Sequence, residues 1–159
     1  MEVIVADICI SLDNQTGVVF DQVFMGSHLM SGSYSHTPSE KLIGFQMDSL
    51  EASFRFNSIV QVHATMWVGY KDPISGKMFA AKIDVPPEVA GMGRSAFYWY
   101  YYGEVCDLDQ VKWNREQGGF STGVLTVDPT FNLTFSGQVD GQTETVTIEI
   151  KNPPKPSSD

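Results

Sequence analysis

The chain has 159 residues, 42% of them hydrophobic, with 19 acidic against 10 basic side chains for a formal charge of −9. That composition excludes a disordered chain, and the charge disfavours nucleic-acid phosphates and anionic lipid as partners. A chain of this length suits one domain with a sizeable core. No charged-then-apolar leader opens the sequence, and no run approaches the roughly 18 apolar residues of a membrane span. The expected location is cytoplasmic, or outside the cell by a route without a signal, and any membrane contact is expected to be peripheral or to follow rearrangement. The two cysteines, Cys9 and Cys106, make neither a disulfide framework nor a metal cluster. They read as packing residues, with a single disulfide left open. The sequons Asn14-Gln15-Thr16 and Asn132-Leu133-Thr134 count only in a secretory route.

In chain order, Glu2 to Leu12 is apolar on both parities, as in a strand covered on two sides. Asp13 to Gly17 supplies turn residues, and a second strand from Val18 to about Met25 suggests a hairpin with the first. Gly26 to Glu40 (GSHLMSGSYSHTPSE) lacks a sustained period and reads as a long loop. Lys41–Met47 and Glu51–Phe56 read as short strands. The clearest strand is Ile59–Tyr70, where Val60, Val62, Ala64, Met66, Val68 and Tyr70 hold one face while Gln61, His63, Thr65 and Trp67 hold the other. Lys71 to Lys77 is a Pro- and Gly-containing turn, and Met78–Val85 returns as its partner until Pro86-Pro87 ends the ladder.

The stretch from Val85 to Gly103 (VPPEVAGMGRSAFYWYYYG) is the most distinctive. Its six consecutive aromatics favour extended backbone, so Phe97, Trp99 and Tyr101 share one strand face and Tyr98, Tyr100 and Tyr102 the other. A half-buried sheet uses one such face for its core, which leaves the second to bind something or to be covered. Glu104–Gln117 carries Val105, Leu108 and Val111 at helical spacing, with Asp107 and Asp109 early and Lys112 and Arg115 late, and predicts a helix. Gly123–Val127, Phe131–Val139 and Thr143–Ile150 complete a β pattern, with a hairpin turn at Asp140-Gly141. The expectation is an all-β sandwich of about nine to ten mostly antiparallel strands with one short helix on its side. It spans residues 1–151 as a single domain, followed by a polar Pro-rich tail, 152–159.

Motifs for catalysis are missing: no Gly-rich phosphate loop, HExxH, CxxC or GxSxG occurs. His28 and His36 share one loop at a spacing poorly suited to a metal, His63 lies near Trp67 on a polar strand face, and Asp107 with Asp109 suits a solvated helix start. The expected protein is therefore not an enzyme and needs no cofactor or metal. The tyrosines offer flat apolar faces with hydroxyl tips, a platform for sugar rings or lipid headgroups; the competing reading has one aromatic face in the core and the other under the helix or a partner chain.

The order of features resembles the actinoporin-like family, pore-forming cytolysins that share a fold with fungal fruiting-body lectins. The resemblance is carried by the Asp13–Gly17 turn, Ser31-Gly32, the Gly69-Tyr70 strand end, the Val85-Pro86 corner, the aromatic strand ending at Gly103, the helix segment and the closing strand Thr143–Ile150. It implies a headgroup pocket to which Ser31, Val85 and Pro86 carry over. The following loop, however, offers Met92 and Arg94, the helix segment has Trp113 instead of tyrosines, and no Arg-Gly-Asp occurs. The chain also starts in its first strand without an amphipathic segment, so pore formation by insertion of one is not expected. The expectation is a non-enzymatic binding module for a zwitterionic lipid headgroup or a glycan. Tyr98, Tyr100 and Tyr102 would border the ligand, with Trp99 as anchor if the parity is reversed; Ser31 and Ser33 would donate hydrogen bonds, Val85-Pro86 would shape the wall, and Trp113 would adjoin. The alternative is a structural or interaction protein, an assembly subunit or acidic inhibitor, that uses the aromatic face as an interface and forms a homo-oligomer.

Overall fold

Alternation of apolar and polar residues with period two runs through most of the chain, and it folds as that pattern requires. The computed structural model describes residues 4–29, 32–56, 64–85, 97–117, 124–126, 132–140 and 143–152. These form twelve strands: β1 (Ile4–Asn14), β2 (Phe20–Leu29), β3 (Gly32–His36), β4 (Lys41–Leu42), β5 (Gln46–Phe56), β6 (Ala64–Lys71), β7 (Met78–Val85), β8 (Phe97–Gly103), β9 (Asn114–Gln117), β10 (Val124–Thr126), β11 (Asn132–Asp140) and β12 (Thr143–Lys151). Sheet A has the order β10-β11-β12-β1-β5-β3 and sheet B the order β4-β2-β6-β7-β8-β9. The β1–β12 pair is parallel and the other pairs are antiparallel. The protein is an all-β sandwich.

Between the sheets lies one apolar core. Sheet A contributes Ile8, Ile10 and Leu12 of β1, Phe135 of β11 and Val146, Ile148 and Ile150 of β12; sheet B contributes Met66, Val68 and Tyr70 of β6 and Phe79, Ala81 and Ile83 of β7. Each set is one parity of its strand, the relation expected for sheets packed face to face. The polar parity of β1, Asp7, Ser11 and Asp13, faces outward with Cys9, so β1 is central in its sheet but apolar on one side only.

The first two strands are not a hairpin. Residues 15–19 carry the chain from sheet A to sheet B, and a buried side chain holds that corner. The Asn14 amide donates to the carbonyls of Val18 at 2.8 Å and Ile43 at 3.1 Å, while its oxygen accepts from the Thr16 hydroxyl at 2.7 Å and the Thr16 N–H at 3.1 Å. A polar side chain bonded this fully can be buried without the desolvation penalty of an unsatisfied group. Two apolar strands joined by turn residues look alike in sequence whether they pair with each other or sit in opposite sheets.

The turn at 71–77 is as expected. Asp72 is buried and its carboxylate accepts from the Ile74 N–H at 3.0 Å and the Ser75 hydroxyl at 2.9 Å, while Gly76 takes φ +76. That left-handed value is the one glycine adopts without a Cβ penalty. The supposed long loop of residues 26–40 is mostly strand, because β2 continues to Leu29 and β3 pairs along the edge of β5.

The Glu104–Gln117 helix does not form. Asp107 caps a single 3-10 turn, Leu108–Gln110, by accepting from the Asp109 N–H, and the chain then extends into β9. Pairing of β9 with β8 satisfies backbone groups along the aromatic strand that a helix would leave to water.

A candidate binding face on the outside of sheet B

Tyr98 decides the parity of the aromatic strand. It is 1% exposed in the core, with its ring against Gly137 of the opposite sheet, where an added Cβ would meet it at 3.4 Å. Burial pushes its hydroxyl up to about 12, and the nearby Glu144 carboxylate adds to the shift. Tyr100 and Tyr102 follow it inward, Tyr100 at 5.2 Å from Phe135. The tyrosines expected to border a ligand are therefore packing residues, because the closing sheet needs bulk at this position. Trp99, the alternative anchor, takes the outer face with Tyr101.

Cross-strand register then assembles a site that lies scattered in the sequence. One row across sheet B reads Gly26, Trp67, Lys82, Trp99, and the next reads His28, Thr65, Asp84, Phe97. Gly26 leaves room for the Trp67 ring, which an added Cβ would meet at 2.7 Å. The Lys82 ammonium lies 4.7 Å from the centroid of the Trp99 ring and 4.7 Å from that of Trp113, between two indoles. Burial holds Lys82 below the usual lysine range, while the Asp84 carboxylate opposes the shift. Thr65 donates its hydroxyl to Asp84 at 2.8 Å.

Below this row the face is covered. Val111, Cys106 and Trp113 from the segment after β8 pack on Met78, Ala80, Phe24 and Tyr101, with Phe24 and Trp113 rings at 6.4 Å. All three tryptophans of the chain, Trp67, Trp99 and Trp113, are thus gathered on one side of sheet B, each half-buried. Indole faces beside an ammonium, a carboxylate and a hydroxyl can stack on an apolar ring face while exchanging hydrogen bonds with its polar rim.

Other expected site residues lie elsewhere. Ser33 is on the outer face of sheet A, opposite Ser53, with the sandwich between it and the indoles. Ser31 and Pro86 are outside the described residues, as are His63, Met92 and Arg94; Val85 ends β7, and nothing is described of its side chain. His36 pairs with Asp48 at 3.1 Å on sheet A, and His28 is on β2. Among the described residues no group of three His, Cys, Asp or Glu side chains could hold a metal. Cys9 and Cys106 are free and belong to opposite outer faces. Burial, with Glu51 adding, pushes the Cys9 thiol up to about 11, which makes it an unreactive packing group. Sequence reasoning missed Lys82, Asp84 and Thr65. Their only advance signal was polar residues alternating along strands next to the aromatic one.

No protein-family model and no curated protein matches this chain. The site has to be read from its own chemistry.

Proposed function

We propose that the protein is a non-enzymatic binding module whose recognition surface is the outer face of sheet B, and that its ligand is a glycan. The observation that carries this reading is the convergence of Trp67, Trp99 and Trp113 on a face that also holds Lys82, Asp84 and Thr65. A sugar ring has an apolar face that stacks on indole and a rim of hydroxyls that bond to charged and hydroxyl side chains. A choline-type cation fits less well, because the position between Trp99 and Trp113 already holds the Lys82 ammonium. Of the features behind the actinoporin-like resemblance, the sandwich is compatible with this proposal. The headgroup pocket it implied contributes nothing to it, since the tyrosines face the core and the helix segment is extended.

The test is a glycan array followed by titration of any hit with the wild type and the Trp67→Ala and Trp99→Ala variants. Each substitution is expected to weaken binding about tenfold or more, the scale of a lost aromatic stacking contact, with the strand signature in circular dichroism unchanged. Unchanged binding by both variants overturns the reading. So does a concentration-dependent oligomer that shields the indoles from a fluorescence quencher, which makes the face a protein interface and favours an assembly or inhibitor role.

A further inference from the structure

A glycine fixes how Trp67 lies on the outer face of sheet B. Gly26 of β2 is its cross-strand partner, and a Cβ added there would meet the indole Cε2, Cζ2 and Nε1 atoms, all at 2.7 Å. A point at one short distance from these three atoms lies out of the ring plane, so the indole leans over Gly26 and turns its other face away from the sheet. Two residues back along β2 the relation recurs in a packed form. The Phe24 ring lies on Gly69, where an added Cβ would meet Cε1 at 2.8 Å and Cζ at 2.9 Å, and Trp113 rests on Phe24 with centroids at 6.4 Å. Phe24 belongs to the cluster that Val111, Cys106 and Trp113 cover, and Trp67 does not. The same device thus seats one ring for packing and another outside that cover.

The spacing of the indoles bears on the size of the ligand. Trp67 and Trp99 share one register row, with Lys82 of β7 between them. Adjacent strands are roughly 5 Å apart, which puts these two positions roughly 10 Å apart, and the lean of Trp67 over β2 widens the gap. One pyranose is about as wide as a single strand spacing, so it stacks on one indole without reaching the other. Along the row the order is apolar, cationic, apolar. A chain of sugars laid on it presents a ring face, a hydroxyl rim and a ring face in the same order, and spanning both indoles takes about three consecutive rings. Their apolar faces must stay on the side of the sheet. Equatorial linkages keep a chain straight enough for this, whereas axial linkages turn it.

Resting on the glycan reading of this face, we infer that its ligand is an extended stretch of equatorially linked pyranoses, laid across the strands from Trp67 to Trp99. Gly26 is a positioning residue for that chain, acting through the indole it seats. Lys82, ordered between Trp99 and Trp113, donates to hydroxyls of the middle ring. The Asp84 carboxylate near Lys82 and the overall charge of −9 select an uncharged chain over one of uronic acids.

The test titrates the full chain with two neutral series, glucose to cellohexaose and N-acetylglucosamine to chitohexaose, and with glucose to maltohexaose as the axially linked control. Affinity is expected to rise about tenfold or more from the monosaccharide to the tetrasaccharide of at least one equatorial series and then to level off, as a second stacking contact becomes intramolecular. The maltose series should show no such rise. Trp67→Ala and, separately, Gly26→Ala are expected to cut the rise to less than about threefold, because each removes or lifts the second platform. Thr145→Ala, on the outer face of sheet A, should leave it intact. A dependence on chain length is a readout that a merely structural glycine would not control. Loss of the strand signature in Gly26→Ala overturns the positioning role, while Trp67→Ala still tests the spacing. Equal affinity for monosaccharide and hexasaccharide overturns the inference and leaves the glycan reading standing, as does an equal rise with the maltose series or a rise that survives Trp67→Ala. Binding of none of the three series also overturns it, and the glycan array then decides the broader reading by itself.

Discussion

Sheet A and sheet B are each six strands wide, and each places one parity of its residues in the shared core. Their outer faces differ in kind. Across sheet A one register row reads Ser136, Thr147, Ser11, Ser49 and the next reads Gln138, Thr145, Cys9, Glu51. Across sheet B the corresponding layer is Trp67, Lys82, Trp99, with Trp113 packed over the lysine. Short hydroxyl side chains suit a solvated β surface and need no partner. Trp113 helps to cover the lower part of that face, but Trp67 and Trp99 on its open part do not follow from packing the core, which already has its aromatics in Tyr70, Phe79, Tyr98 and Phe135. The contrast separates a face explained by stability from one that is not.

The sharpest way to break this comparison is within β8, where neighbouring residues point to the two sides. Tyr98→Ala is expected to cost about 3–5 kcal/mol, the range for truncating a fully buried aromatic, whereas Trp99→Ala should cost clearly less. Equal losses in urea melts of the two variants would mean that Trp99 is structural and the outer face is a second core.

Alkali probes the same buried parity. Tyr70 and Tyr98 both have hydroxyls held up to about 12, burial being the main cause. The folded state keeps protons that the unfolded chain releases near pH 10, so stability is intact below that pH and falls as it rises towards 12. Thermal melts from about pH 9 to about pH 12 check this, and a flat profile would place the tyrosines in water.

At the corner between the sheets, Asn14→Ala removes five hydrogen bonds, to the carbonyls of Val18, Leu42 and Ile43 and to the N–H and hydroxyl of Thr16, and leaves buried groups unpaired. A loss of about 1–3 kcal/mol is expected in the same denaturation assay. Asn14→Asp should recover only part of it, because a carboxylate accepts but cannot donate to the Val18 and Ile43 carbonyls.

On the indole face, Lys82→Met keeps the aliphatic stem and removes the cation between Trp99 and Trp113. The expected stability loss is about 0.5–2 kcal/mol, with a change in tryptophan emission. The smallest effect belongs to sheet A: Thr145→Ala should change stability by no more than about 0.5 kcal/mol. A larger loss there would show that the hydroxyl face is also engaged.

Strand alternation was legible in the core strands. Ala64, Met66, Val68 and Tyr70 of β6 and Val146, Ile148 and Ile150 of β12 are buried on the parity that the sequence pattern marks. The Asp72–Gly76 turn was legible for the same local reason, its side chain bonding its own backbone. The 104–117 segment was misread because helical spacing of Val105, Leu108 and Val111 competes with an edge strand that needs a partner, and that demand is not written in the segment itself. The candidate site was legible only as an aromatic surplus. Lys82, Asp84 and Thr65 are 15 to 34 residues from Trp99 and come together solely through pairing.

By itself the sequence determined the all-β class, the residues that share a strand face and the local turns, since all of these depend on a period of two or on neighbours a few positions away. Which face of β8 is inside was a tertiary decision. Phe-Tyr-Trp-Tyr-Tyr-Tyr is apolar and bulky on both parities, so no local term distinguishes them. The choice falls to the opposing sheet, where Gly137 leaves space for one ring, Tyr98, and Phe135 packs against the next, Tyr100. The same closure turns Trp99 outward beside Lys82 and so creates the indole face of sheet B.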